Sequence, residues 1–261
     1  MAVTTASRTL NMPSSEQARR TRNIQNVLKY ALLGLIGIIA LTPFILAFMG
    51  TFKTDAEIIA YPPAFFPKAW LTQNWIKVWT TDFGQGATFP RWLLNTAVIA
   101  VGSALLQVVF CSMAAYAYAR LHFPGKDAIF AFMLASMMIP GAITLIPGYV
   151  FMTKIGFTNT YWSLLIPGAI GAGNIFLLTQ FLKAIPRELE EAAFVDGATQ
   201  FQIYKDVVIP LVRPAMLTVF ILQFQGMWNA FMAPLIYLNT PNMWVLNVAI
   251  STFQQLYKAQ C

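Results

Sequence analysis

Long apolar runs without charge alternate with short polar segments along most of the chain. The first run extends from Tyr30 to Phe52 between two lysines, and it is long enough to span a bilayer with some tilt. A cleaved signal peptide would need small residues near the end of this run, where Pro43, Phe44 and Met49 stand instead. The pattern therefore predicts a retained transmembrane helix.

Four further apolar runs predict four more spans, and we expect helices because lipid offers no partner to an unpaired backbone group. The runs are Trp92 to Ala119, Ala128 to Thr153, a stretch from about Tyr161 within Ile155 to Leu182, and Pro214 to about Leu238. Pro140 and Pro147 predict a kink in the second of these. The later stretch from Val245 to Ile250 is too short to cross a bilayer. The predicted fold class is an all-α, polytopic membrane helical bundle with five visible spans.

The composition agrees with a membrane protein and excludes several functions. Hydrophobic residues make up 57% of the chain and charged residues 10%, against about 25% charged residues in soluble domains. Cys111 and Cys261 fit neither a disulfide framework nor a metal site, and His122 is the only histidine, so we expect no metal and no catalytic site. The net charge of +7 is concentrated at the ends of apolar runs, which argues against nucleic-acid binding.

Basic residues are unevenly divided between the two sides that five spans define. With the N-terminus in the cytoplasm, 11 of the 17 lysines and arginines lie in inner segments. These are Arg8, Arg19, Arg20, Arg22, Lys29, Arg120, Lys126, Lys183, Arg187, Lys205 and Arg213. Because cytoplasmic segments carry the excess of basic residues, we predict a multi-pass protein with a cytoplasmic N-terminus.

The predicted spans divide the chain into five parts. They are a cytoplasmic tail at 1–27, a first transmembrane helix at 28–53, an extracytoplasmic loop at 54–90, a membrane core at 91–238 and an extracytoplasmic segment at 239–261. Residues 1–21 are expected to be disordered. In the external loop, Trp70, Trp75 and Trp79 fit either the membrane interface or a contact surface for an external partner.

A cytoplasmic loop at 183–213, within the core, has a regular pattern of its own. Pro186 can open a helix, and Asp196 with Gly197 interrupts it, since glycine tolerates the left-handed conformation common at helix ends. Thr199 and Gln202 have the spacing of a capping box, which predicts a second helix that Pro210 ends. We therefore predict two short helices in an L.

The segment EAAFVDGATQFQIYKDVVIPL in this loop resembles the EAA loop of ATP-binding-cassette importer permeases. That pattern is Glu-Ala-Ala, three residues, Gly, nine residues and Ile-x-Leu-Pro. It is matched directly at Glu191, Ala192, Ala193, Gly197 and Pro210, with Val207 and Ile209 in place of the family's Ile and Leu. The resemblance extends over residues 95–215, through AAYAYARLHFPGKD, MMIPGAITLIPGYV, KIGFTNT and FLKAIPRELEEAAFVDGA, to the carbohydrate-uptake branch and its maltose-type second permease subunit.

This resemblance implies the fold of a type I importer permease and a set of partners. The expected partners are a second similar permease, two cytoplasmic ATPase subunits and an extracytoplasmic substrate-binding protein, in the plasma membrane of a bacterium or archaeon. The chain lacks a phosphate-binding loop, so ATP and magnesium would bind to the ATPase and not to this chain. Members of the family usually have a sixth helix, which the apolar pattern here does not show.

In that family the EAA loop inserts into a groove on the ATPase. The residues that the resemblance assigns to this coupling are Glu190, Glu191, Ala192, Ala193, Asp196, Gly197, Ala198, Phe201 and Pro210. Glu191 is expected to meet a basic group of the ATPase, and Gly197 to set the bend. The loop would then act as a stiff lever on its flanking helices.

Polar side chains inside the predicted spans are candidates for a substrate path. The last span carries Gln223, Gln225, Trp228 and Asn229. Amides can bond sugar hydroxyls and an indole can stack on a sugar ring, but the same side chains can join helices to one another. Both interpretations stay open, as they do for Asn95, Gln107, Asn174 and Gln180.

The sequence leaves the transported solute open. A sugar or oligosaccharide follows from the resemblance alone, and a polyamine or phosphate importer of the same class is the alternative. An ion-coupled secondary transporter would need an ionisable residue within a span, and none of the ten acidic residues lies in a predicted one. A membrane scaffold would have no reason to carry the EAA spacing.

Overall fold

The computed structural model describes residues 15–258, which form two compact units divided after Val78. Residues 1–14 of the tail predicted to be disordered, and Cys261, lie outside the described residues. From Ser15 onward the tail is helical, so the predicted disorder is wrong for residues 15–21. The apolar run that follows favours a helix strongly enough to extend it into the preceding polar segment.

The first unit contains one long helix and a short loop. Helix α1 (Ser15–Gly50) carries no charge from Tyr30 onward, and none of its most apolar window is buried within the chain. Such a helix requires lipid or another protein around it. The loop holds α2 (Asp55–Ile59), which begins with a capping box between Thr54 and Glu57. The Thr54 N–H bonds the Glu57 carboxylate and lowers the pKa of that carboxyl.

The second unit, from Trp79 onward, is a helical bundle. Its helices, with α3 at the boundary between the units, are α3 (Gln73–Thr80), α4 (Phe89–Arg120), α5 (Lys126–Ser136), α6 (Gly141–Lys154), α7 (Trp162–Gly168), α8 (Ala172–Lys183), α9 (Glu188–Val195), α10 (Gln200–Gln202), α11 (Ile209–Trp228), α12 (Met232–Tyr237) and α13 (Leu246–Lys258). A π-helical turn, Ile203–Val208, joins α10 to α11, and a 3₁₀ turn, Pro241–Met243, precedes α13. Residues 15–258 contain no β-strand, which agrees with the predicted all-α class.

Helix α4 is the centre of the second unit. Its buried positions recur every three or four residues and supply side chains to three hydrophobic clusters along its length. Many of them are small, including Ala100, Ala104 and Ala115, which lets the backbones of α8 and α11 approach closely. Polar residues also face inward from α4, as expected for a bundle surrounded by lipid.

The spans follow the prediction with two differences. Within residues 15–258, four helical stretches, 22–50, 89–120, 162–183 and 200–228, are long and apolar enough to cross a membrane. The fifth candidate is α5 with α6, which meet at an angle of 103° across residues 137–140. The predicted kink is a full break, because Pro140 has no N–H to donate to the Ser136 carbonyl and so cannot continue α5. Pro147 lies inside α6 without interrupting it.

The last predicted span also ends earlier than expected, since α11 stops at Trp228 and a bend at 229–231 leads into α12. Beyond it, the C-terminal segment is packed against the start of α4. The Trp92 indole N–H donates to the Pro241 carbonyl, the Asn95 amide donates to the carbonyls of Asn242 and Trp244, and Thr96 accepts the Leu246 N–H. Helix α13, with 13 residues, is too short to cross a bilayer alone.

Candidate functional site

The EAA segment forms a bent helix pair, which we call the elbow: α9, the bend at 196–199, α10 and the π-helical turn. Its first arm, α9, begins two residues after Pro186 and carries Glu188, Glu190 and Glu191 in its first turn, where the helix dipole favours negative charge. It ends in a Schellman motif, in which the Ala198 N–H bonds the Ala193 carbonyl and the Gly197 N–H bonds the Phe194 carbonyl. Gly197 holds a φ of +85°, as the predicted bend requires.

The second arm begins at the predicted capping box. The Thr199 hydroxyl accepts the Gln202 N–H, and the Gln202 side chain accepts the Thr199 N–H at 2.8 Å. The helix then continues through Pro210 into α11, so the prediction that Pro210 ends this arm is wrong. Ahead of the proline the turn is π-helical, and the Ile209 N–H bonds the Tyr204 carbonyl. The wider turn gives the proline ring room that an α-helical turn would lack.

The elbow has an inner and an outer face. Ile203 and Val208 point inward and are 2% exposed, in a cluster with residues of α4, α8 and α11. On the outside, Phe194, Val195 and Phe201 are 64%, 85% and 68% exposed. An exposed apolar group of this kind at a bend marks a contact surface for another molecule.

Three side chains on one face of α4 bind the inner side of the elbow. We call Ser112, Tyr116 and Arg120 the α4 stripe, because each is one helical turn from the next. The Arg120 guanidinium forms an ion pair with Glu190 of α9 at 2.5 Å and donates to the Ile185 carbonyl at 2.9 Å. The Tyr116 hydroxyl donates to the Gln200 side chain at 3.0 Å, and the hydroxyls of Ser112 and Tyr204 lie 2.7 Å apart.

An open cavity of about 460 Å³ lies against α9, beside the end of α4. Glu191 and Arg187 contribute charge to its lining, Phe194 and Val195 contribute apolar surface, and His122 lies at its edge. Glu190 also reaches this lining but is already paired with Arg120. Glu191 is therefore the carboxylate at this cavity that the structure leaves exposed, in the position predicted to meet a basic partner.

The intramembrane amides divide into two groups. Gln223 of α11 donates to the Ser103 hydroxyl at 2.7 Å and to the Gly168 carbonyl at 3.3 Å. Gln107 donates to the same carbonyl, and Asn174 donates to Gln107. The Gly168 carbonyl is available because α7 ends there, before the fourth span resumes at Ala172. This first group joins helices and stabilises a break in a span.

The second group lies at the end of α11. Gln225 and Asn229 are exposed, and the Asn229 amide donates to the Gln225 carbonyl within the helix. Trp228 stacks on Phe224, with 5.4 Å between ring centroids. The sequence grouped these residues with Gln223, but the structure places them on a face that Gln223 does not share.

The predicted coupling residues all lie on the elbow or at its junction with α11, at Pro210. Glu191, Ala192, Asp196, Gly197 and Phe201 are exposed, whereas Glu190, Ala193 and Ala198 are partly buried against the bundle. Sequence reasoning missed the α4 stripe as part of this site. Its only signal was that Tyr116 and Arg120 lie within the AAYAYAR segment of the resemblance.

Apolar helices of membrane length, with a bent helix pair that exposes an apolar outer face, define a multi-pass membrane protein with a candidate contact surface. Comparison with known proteins identifies the family to which this membrane protein belongs. Residues 107–258, more than half of the chain, match the family model of the binding-protein-dependent transport system inner membrane component. The chain belongs to this family, and it is a transport permease, not an enzyme.

Individual relatives agree with the family. Protein LplC of Bacillus subtilis is 30% identical over 90% of this chain and 76% of its own length. The diacetylchitobiose uptake system permease protein NgcG of Streptomyces coelicolor is 29% identical over 87% of this chain and 74% of its own length. The crystal structure of a bacterial ABC transporter involved in the import of alginate superposes with a TM-score of 0.74 at 23% identity, covering 91% of this chain and 81% of that one. This last likeness supports the fold.

Proposed function

We propose that this chain is one of two similar permease subunits of an ATP-driven importer and that its elbow couples the translocation path to a separate ATPase. The observation that carries the proposal is the outer face of the elbow, where Phe194, Val195 and Phe201 are exposed beside Glu191 and an open cavity. Burial of these side chains in a groove of the ATPase would remove apolar surface from water. A basic group there would pair with Glu191.

The proposed assembly has the elbow and the N-terminus in the cytoplasm. Two ATPase subunits would bind below the permease pair and hold ATP and magnesium, and an extracytoplasmic binding protein would deliver the solute from the other side. The excess of basic residues in the inner segments supports this orientation. Closure of the ATPase subunits on ATP would move the elbow, and the elbow would turn the path outward.

We propose a sugar or oligosaccharide as the solute. The support comes from relatives named for diacetylchitobiose uptake and for arabinooligosaccharide transport, the latter from Halalkalibacterium halodurans at 28% identity over 92% of this chain and 85% of its own length. Gln225, Trp228 and Asn229 would line the path, since two are exposed and the third presents an indole near the end of α11. Gln223 belongs to the helix contacts instead.

The coupling role is tested by replacing Glu191 with alanine in the complex reconstituted in proteoliposomes. A charge-assisted contact contributes about 1.5–3 kcal/mol, so loss of the carboxylate should weaken ATPase binding roughly 10- to 100-fold or uncouple ATP hydrolysis from transport. Glu188→Ala is the matched control, since Glu188 is another exposed glutamate of α9 that does not line the cavity. Normal transport by Glu191→Ala with its ATPase bound would contradict the assignment.

The solute is tested by ATPase stimulation in the same complex with its binding protein. We expect oligosaccharides to stimulate hydrolysis and polyamines or phosphate to have no effect. Stimulation by a polyamine or by phosphate alone would leave the importer assignment intact but would show that the solute is not a sugar. Transport driven by an ion gradient without ATP would contradict both the importer assignment and the sugar assignment. The acidic residue to examine in that case would be Asp206, which lies early in the helical stretch 200–228 and is exposed on the elbow.

A further inference from the structure

The elbow is attached to the bundle at more points than its two chain connections. The α4 stripe contacts the three helical parts of the elbow: Ser112 reaches the π-helical turn, Tyr116 reaches α10 and Arg120 reaches α9. The spacing of the stripe repeats the turn of α4, so the three contacts form one row. A row of this kind holds two elements in a fixed relation, which no single contact would do.

The Arg120–Glu190 pair is the strongest contact in this row. The two side chains are 6% and 13% exposed, so water screens their attraction little. Arginine also presents several donors in a rigid fork, and Arg120 uses a second one on the Ile185 carbonyl just before α9. The other charged or titratable side chains that line this cavity are Arg187 just before α9, Glu191 on α9 and His122 just after α4.

Helix α4 contacts many other helices, so a movement of the elbow that reaches α4 through the α4 stripe would also reach those helices. It packs against α7, α8, α11 and α13, and it supplies residues to all three hydrophobic clusters of the second unit. Movement of α4 would therefore reach the whole unit, whereas movement of the two chain connections alone would first reach α8 and α11.

We propose that Arg120 is a positioning residue, which together with Glu190 makes α4 and the elbow move as one body. The proposal rests on the proposed coupling function, and it adds α4 as a third element that the elbow drives directly. In this proposal Glu190 contacts Arg120 within the chain, and Glu191 is the glutamate that contacts the ATPase.

The first test measures substrate transported per ATP hydrolysed in the reconstituted complex. Arg120→Met and Glu190→Gln should retain the ATPase and its hydrolysis while transport per ATP falls roughly 2- to 30-fold, the range that coupling networks show. The double exchange Arg120→Glu with Glu190→Arg should recover part of the ratio, since the exchanged pair restores the charge attraction but not the bond to the Ile185 carbonyl. Glu188→Gln makes the same chemical change on an exposed residue of α9 and should have no effect.

The second test measures whether the two elements move together. Spin labels at Met113 of α4 and Leu189 of α9, both exposed, would be placed in a chain without Cys111 and Cys261. The distance between labels should be the same with and without ATP when Arg120 is present, and should change between these states in Arg120→Met. A change in the parent chain overturns the proposal.

The outcomes separate this inference from the proposed function. A parent complex that recruits no ATPase or transports nothing refutes the proposed function itself. A parent complex that couples normally, with single variants that also couple normally, refutes the role of Arg120 alone. Single variants that fail to assemble, and are not restored by the double exchange, also refute it, because the pair would then serve folding only.

Discussion

Gly197 has no heavy atom within 4 Å of the place where a Cβ would lie, so a side chain would have room there. Glycine is required at this position because its φ is +85°, a backbone conformation that residues with a side chain rarely adopt. A left-handed conformation costs a residue with a side chain about 1–2 kcal/mol. Gly197→Ala should therefore destabilise the elbow by about 1 kcal/mol and lower transport per ATP, as measured by hydrogen exchange in residues 188–200 and by transport assays.

Gly226 is the matched control for this substitution. It also has open space around it, but it lies inside α11 without a positive φ. Alanine favours a helix interior by about 0.5–1 kcal/mol over glycine, so Gly226→Ala should leave the elbow unchanged and raise stability slightly. If the elbow loses the same amount of hydrogen-exchange protection in Gly197→Ala and in Gly226→Ala, the bend does not depend on the conformation of Gly197.

Local chemistry explains which residues of the site could be predicted. Gly197, Thr199 and Gln202 act on neighbours within a few positions, so their spacing alone predicted the bend and the cap. Arg120 acts on Glu190, 70 positions further along the chain. No local pattern encodes that pairing, and only the packing of α4 against the elbow reveals it.

Among the elements, the broken fourth span depends on close packing around Gly168. A Cβ there would lie 2.5 Å from the Ser103 hydroxyl and 3.2 Å from the Gln223 amide nitrogen. Gly168→Ala should destabilise the bundle by about 1–3 kcal/mol, the usual cost of overpacking, as measured by thermal unfolding in detergent.

Two further variants make this test specific. Gly141 has open space and begins α6, so Gly141→Ala should change the unfolding temperature little. Ser103→Ala alone removes a hydrogen bond from Gln223, so the comparison is made in that background, where Gly168→Ala should cost less than it does in the parent chain. An equal cost in both backgrounds would mean that the close approach to Ser103 is not the cause.

The elements also show where proline misled the prediction. Proline usually ends a helix, and Pro140 does separate α5 from α6. Pro210 and Pro147 do not end theirs. At Pro210 the preceding turn is wider, and Val208 and Val212 on either side are buried in the bundle, so tertiary packing holds the helix together where local preference would end it.

For the molecule as a whole, the orientation can be tested with a label that does not cross membranes. Val195 on the elbow and Ile59 in the loop after α1 are 85% and 82% exposed. In intact cells and in a chain without Cys111 and Cys261, Ile59→Cys should react with an impermeant maleimide from outside, and Val195→Cys should react only after the membrane is opened. Reaction of both from the same side would contradict the predicted topology.

The whole-molecule prediction succeeded for the class but said nothing of how the C-terminal segment packs. Apolar runs reveal membrane helices because the bilayer demands length and hydrophobicity, which a sequence displays directly. The attachment of residues 241–246 to Trp92, Asn95 and Thr96 joins parts of the chain that lie about 150 positions apart. On the side of the C-terminal segment it depends on backbone groups, the carbonyls of Pro241 and Trp244 and the N–H of Leu246, which leave no trace in the identity of the residues that carry them.

The wide turn at Ile203–Val208 allows the elbow to lose one residue, which the α-helix that follows it cannot do. Each of its hydrogen-bonded rings encloses one residue more than an α-helical ring, so it contains a surplus residue held without added length. Loss of one exposed residue there, such as Asp206, would tighten the turn and leave the faces of α11 in register. The same deletion in the middle of α11 would rotate everything beyond it by about 100°. Deletion of Asp206 should therefore reduce the thermal stability of the chain less than deletion of a residue in the middle of α11.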